Sequence, residues 1–250
     1  MNLREIAAPE APYWTINREE RNVVALLYAA LLQGDNVHRF LHEVAPDLPV
    51  DRDEVAVYVE YAFLRDLWNV LPPADPRRRD FIVAKLDTAD VRALADADPA
   101  TWNAHFGGIS TKYWQSPSRW SVRAFHSTIA DDDDFLATCR FSWSFNIKPD
   151  LVVHSTTHHA VVIEAKVESA EGSYPAMAAE KRIFDDRRLR RVGQTELQEH
   201  LMRELLGIGA RHLLLTARGG HDLSWSQAFG CLDLSAMPSW AQRWVDRYCT

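Results

Sequence analysis

Cysteine is scarce in this 250-residue chain: Cys139, Cys231 and Cys249 lie far apart, odd in number and without a CxxC pair. That excludes a disulfide scaffold and a structural zinc ribbon, and it suits a reducing compartment. No apolar run approaches the roughly 20 residues a membrane-spanning helix needs, so no membrane partner is expected. The opening MNLREIAAPEAPYW has no basic stretch leading into an apolar one and no small-residue cleavage motif. Secretion is therefore not expected, and a cytoplasmic location is. An excess of positive charge is also missing, since 28 Lys and Arg against 35 Asp and Glu leave a net charge of −7. Nucleic acid, if bound, must be met by a local basic patch. Glycine and proline, 10 and 12 residues, are too few for a collagen-like or low-complexity chain, and no repeat is visible. What remains is an ordinary globular composition, read as a single domain over residues 1–250 with a sizeable core.

The first third reads helical. Asn17 and Glu20 have capping-box spacing, and residues 18–33 carry Val23, Val24, Leu27 and Leu31 on one stripe before Gly34. A second helix is expected from Arg52 to Leu71, opened by Asp51 and Glu54 and closed by Pro72-Pro73. Short helices broken at Pro76, Pro99, Gly107-Gly108 and Pro117 follow, so residues 35–130 read as a helical insertion. After Asp131–Asp134 the texture changes. FLATCRFSWSF alternates like a half-buried strand. IKPDLVV and AVVIEAKV, joined by HSTTHH, read as strands of a sheet covered on both faces. A helix over 193–206, a strand ARHLLLTA and an amphipathic helix SWAQRWVDRY complete the chain. The order from residue 135 is β-β-β-α-β behind a leading helix, an α/β or α+β layered fold.

Hairpin arithmetic singles out three charged residues within the apolar strands. With the turn centred on Thr157, Asp150 lies opposite Glu164, and Lys166, two residues on, points the same way. Two carboxylates facing each other destabilise a sheet unless something neutralises them. A divalent cation does so, and Mg²⁺ is commonly held by one or two carboxylates plus water and phosphate.

Pro149-Asp150 followed by Glu164-Ala165-Lys166 resembles the signature of the PD-(D/E)XK nuclease superfamily, whose restriction-endonuclease-like core runs αβββαβ with a mixed sheet flanked by helices. The match covers residues 135–217 best. The resemblance implies that Asp150 and Glu164 bind Mg²⁺ (with Mn²⁺ as a substitute), that the Ala165 carbonyl is a further ligand, and that Lys166 serves the attacking water and the phosphate charge. It also implies a glutamine on the following helix, here Gln194 or Gln198, and a Glu on the first helix, here Glu20. For Glu20 the plain capping role stands beside the metal role. The expected activity is phosphodiester hydrolysis, in DNA rather than RNA, in a restriction or anti-phage setting. A homodimer or a larger defence complex is compatible with it. The alternatives are a non-catalytic binding module of the same fold within a larger complex, and the same chemistry directed at RNA.

Between the catalytic strand and the glutamine helix, Lys181, Arg187, Arg188, Arg190 and Arg191 form a basic stretch suited to phosphate contacts without base readout. Its plain alternative is a solvated charged loop or helix. Asp131–Asp134 read as a solvated loop rather than a metal site, because consecutive side chains do not converge on one ion without an enforced turn. His38 and His42 have ligand spacing but no HExxH context, and they read as part of an ordinary amphipathic helix. His158 and His159 are expected to be exposed at the hairpin tip. The nine tryptophans read as core rather than as base-stacking platforms.

Overall fold

A computed structural model describes residues 17, 19–167, 171–216 and 222–249. Its chain divides into two compact units, Met1–Glu60 with Pro149–Ala170 and Ala210–Thr250, and Tyr61–Lys148 with Glu171–Gly209. The class is mixed α/β. A five-stranded mixed sheet, flanked by helices, has the order β1-β2-β3-β6-β7. These strands are β1 (Ala56–Val59), β2 (Leu151–Thr156), β3 (His159–Lys166), β6 (Gly209–Thr216) and β7 (Leu223–Ser224). β1 with β2 and β2 with β3 pair antiparallel, whereas β6 and β7 run parallel. A separate two-stranded ladder joins β4 (Ser173–Tyr174) to β5 (Val192–Gly193).

The first unit is built on the β2–β3 hairpin. Leu151, Val153, Val161, Ile163 and Ala165 turn one face toward helices α1 (Glu20–Leu31) and α2 (Asn36–Val44). Trp225 and Phe229 of α11 (Trp225–Gly230) and Trp244 of α12 (Ser239–Cys249) close the same core. The alternate residues Val152, Ala160 and Val162 are buried too, as expected for β-branched strands without a polar face. Each such side chain contributes about 1.5–3 kcal/mol on burial. The α1 stripe Val23, Val24, Leu27, Leu31 is wholly inside, and the helix runs out before Gly34, which sits at φ 52° where other side chains are strained.

The second unit contains α3 (Phe63–Val70), α4 (Arg77–Lys85), α5 (Ala89–Ala93), α6 (Pro99–His105), a 3₁₀ turn at Pro117–Arg119, α7 (Val122–Phe125), α8 (Asp132–Ser144), α9 (Ala178–Asp186) and α10 (Gln194–Glu199). α10 continues as a π-helical stretch, His200–Leu205, and Gly207 at φ 70° ends it. Its core is aromatic, with Phe106 stacked on Trp120 at 3.9 Å between centroids. Seven of the eight described tryptophans are buried and only Trp240 is exposed, which agrees with their reading as core.

Four expectations fail, for identifiable reasons. FLATCRFSWSF is not a strand but α8. Asp131 caps it, its side chain accepting from the N–H groups of Asp133 and Asp134, and Asp132–Asp134 fill the first turn. Acidic residues there complement the helix dipole, so the aspartate run is a helix start rather than a solvated loop. Phe135, Thr138, Cys139 and Ser142 recur on the buried face. The hydroxyls of Thr138 and Ser142 are satisfied by the carbonyls of Asp134 and Pro117, so polar residues sit inside without cost to the helix. The helix expected over 52–71 is split: Ala56–Val59 is a strand within residues 35–130, and only Phe63–Val70 is helical. Val57, Tyr58 and Val59 are β-formers, and the pairing available on β2 outweighs the weak helical periodicity. Asn17 and Glu20 form no capping box. Asn17 accepts from the Glu19 N–H, and the Glu20 carboxylate turns elsewhere. The strand that pairs antiparallel with β2 on the side away from β3 is β1, not residues 135–145. Among the described residues no helix is long and apolar enough to cross a membrane.

Candidate functional site

The ladder pairs Leu151 with Ile163 and Val152 with Val162. One step further on the same ladder Asp150 faces Glu164, as the hairpin centred on Thr157 predicts. The register slips only near the tip, between His154 and Thr156, so the bulge leaves the base of the hairpin undisturbed. Glu54 fastens the tip, its Oε2 accepting from the N–H and hydroxyl of Thr157 at 2.8 and 3.1 Å. His158 is exposed, and His159 is half-buried with Nδ1 3.0 Å from the Thr156 hydroxyl.

At the base, Asp150 Oδ2 accepts from the Ala165 N–H at 2.9 Å. Glu164 is 2% exposed, and the Lys166 ammonium donates to its Oε1. The same ammonium donates to Glu20 Oε1 at 3.2 Å, while Glu20 Oε2 accepts from the Val167 N–H at 3.2 Å. The first turn of α1 thus brings a third carboxylate to the end of β3. One ammonium faces three carboxyl groups in a half-buried site. Burial, and then the charge of Glu164, push the Asp150 carboxyl up to about 7. Burial works against the Lys166 charge, but its hydrogen bond with Glu164 and the charges of Glu164, Glu20 and Asp150 outweigh this and hold the ammonium above its ordinary range.

Hard carboxylate oxygens and surplus negative charge fit a divalent cation such as Mg²⁺, with Asp150 and Glu164 as the donors. Among the described residues no three His, Cys, Asp or Glu side chains form a group able to hold a metal ion. His38 lies on α2, 4.0 Å from Asp35, and belongs to the helix expected there.

The structure brings together Asp150, Glu164, Ala165, Lys166 and Glu20. The sequence reading misses Trp225, whose indole Nε1 donates to the Lys166 carbonyl at 3.4 Å. A signal for it exists: Ser224 and Gln227 form the capping box that starts α11 and aims Trp225 inward.

Gln194 and Gln198 lie on α10 in the second unit, half-buried and buried respectively. The basic residues of that unit differ in how far they are engaged. Arg187 pairs with Asp132 at 2.8 Å, donates to the carbonyls of His126 and Ile129, and covers the Phe135 ring at 4.1 Å. Arg190 makes a bidentate pair with Glu196, and Arg191 lies 3.7 Å from Asp185. Lys181 and Arg188 make no ion pair among the described residues, and Arg188 is exposed.

Comparison with protein-family models finds no match, and neither curated proteins nor solved structures give a significant one.

Proposed function

We propose that the chain is a Mg²⁺-dependent phosphodiester hydrolase with a restriction-endonuclease-like core, acting on DNA in preference to RNA. One observation carries this reading: Asp150 and Glu164 face each other across the β2–β3 ladder with Lys166 beside them. Retaining like charges in a half-buried sheet costs stability, and such a cost is characteristic of functional sites. The antiparallel run β1-β2-β3, continued in the same sheet by β6, supports the fold assignment. Asp150 and Glu164 hold the cation, with the Ala165 carbonyl available as a further donor. Lys166 keeps a positive charge at the site, suited to orienting a water and to stabilising charge developing on a phosphate. When bound, the cation supplies Lewis-acid stabilisation and water activation. Mn²⁺, with the same preference for oxygen ligands, is expected to substitute. A cytoplasmic role in restriction or phage defence follows from the resemblance alone.

The test is cleavage of labelled DNA and RNA of one sequence by purified protein with Mg²⁺ or Mn²⁺. Asp150→Ala and Lys166→Ala are expected to abolish cleavage. Equal activity in wild type and variants would sink the enzyme reading, and cation-independent binding without cleavage would favour a non-catalytic module.

A further inference from the structure

Lys166 engages a carboxylate that the proposed cation needs. Its ammonium donates to Glu164 Oε1, and the Glu164 side chain is almost wholly buried. A buried carboxylate gives up a partner only for another one. The ammonium also has a second anchor, Glu20 Oε1 at 3.2 Å. Glu20 is itself tethered, since Oε2 accepts from the Val167 backbone N–H at 3.2 Å. Both oxygens of Glu20 are therefore engaged at the end of β3.

We infer that Lys166 is the resident counter-ion of Glu164 and competes with the divalent cation for it, while Glu20 is a positioning residue that retains the displaced ammonium rather than a cation ligand. The inference rests on the metal-site reading above and adds how the site is loaded. In the cation-free chain Glu164 is neutralised by Lys166. On loading, Glu164 passes to the cation and Lys166 stays on Glu20, next to the site and still charged. The lysine then serves two states with one small movement. A cation too weakly charged to displace it, such as Na⁺ or K⁺, leaves the pair intact.

The experiment is Mn²⁺ binding to the full chain, read by electron paramagnetic resonance of free Mn²⁺, with folding checked by circular dichroism. No turnover is needed. Removing a unit charge a few ångströms from a bound cation is expected to tighten binding at least about tenfold, so Lys166→Met binds Mn²⁺ tighter than wild type. Lys166→Gln serves the same purpose should the Met variant not fold. Glu20→Gln weakens binding in the wild-type background. Because Glu20 acts through Lys166, Glu20→Gln changes affinity by no more than about threefold once Lys166 is Met, a coupling read from the double-mutant cycle. Unchanged or weaker binding by both Lys166 variants overturns the competition. A Glu20→Gln loss of equal size in both backgrounds makes Glu20 a ligand and overturns its positioning role. If neither wild type nor the Lys166 variants bind Mn²⁺ while folded, the metal reading itself fails and this inference falls with it.

Discussion

Asp150 stands opposite Glu164 at the base of the β2–β3 hairpin, and its Oδ2 accepts from the N–H of Ala165 at 2.9 Å. The hydrogen bond favours the charged form of Asp150, yet burial and the Glu164 charge prevail and push its carboxyl from the usual 3.8 up to about 7. In the folded chain without cation, Asp150 therefore holds a proton well above the pH at which the unfolded chain releases it.

The sign of the linkage follows. The folded state binds more protons than the unfolded state between those two values, so the contribution of Asp150 is fully present below about pH 4 and lost as pH rises through 7. Cation-free protein, monitored by urea denaturation, is expected to gain from this group as pH is lowered from 7.5 toward 5. Asp150→Asn keeps an acceptor for the Ala165 N–H but cannot titrate, so its stability profile should lack that component. Burial lowers the pKa of His154 and His200, which titrate with the opposite sign. The difference between the two proteins cancels them. Parallel profiles would refute the prediction.

Asn36 ties α1 to the C-terminal part of the same unit. Its Nδ2 donates to the carbonyls of Ala30 and Asp233, each at 2.8 Å, and its Oδ1 accepts from the Asp233 N–H at 2.7 Å. The residue is 1% exposed. Asn36→Ala takes this partner from the N–H and carbonyl of Asp233, while Ala30 keeps the Gln33 N–H, and is expected to cost about 3 kcal/mol. Chemical denaturation checks it, and a loss below about 1 kcal/mol would mean that water replaces the amide.

Arg187 and Arg188 are adjacent, but only the first is spent on the fold. Arg187→Ala removes an ion pair, two hydrogen bonds to carbonyls and a ring contact, and is expected to destabilise by about 2 kcal/mol or more. Arg188→Ala should leave stability within about 0.5 kcal/mol. If Arg188 meets a phosphate, its loss lowers the salt dependence of DNA binding by about one unit of slope. A stable Arg187→Ala protein would show that these contacts carry little weight.

The legible part of the site was the hairpin. A turn centre and a two-residue period suffice to place Asp150 opposite Glu164 with Lys166 in line, because strand geometry leaves little freedom once both strands are apolar. Phe135–Phe145 misled because alternation over a few residues is compatible with a helix when most of the polar positions are Ser and Thr. Those side chains bond to backbone carbonyls and need no water. The aspartates ahead of them were the stronger signal, since only a helix N-terminus gives such a run a use. Val57–Val59 misled in the opposite sense, because a short segment takes its structure from the neighbour it meets.

Local chemistry in the chain itself therefore determined the β2–β3 pairing, the stripe of α1, the glycine stop after it and the residues that crowd charge at the hairpin base. Tertiary structure decided the rest. It recruited Ala56–Val59 as the sheet's edge, turned Glu20 from a capping residue into an anchor for Lys166, and committed Arg187 to the interior while leaving Arg188 outside. The physical reason is range. Strand alternation and helix caps act over a few residues and can be read in order along a sequence, whereas a carboxylate chooses among partners that only folding brings within 3 to 4 Å.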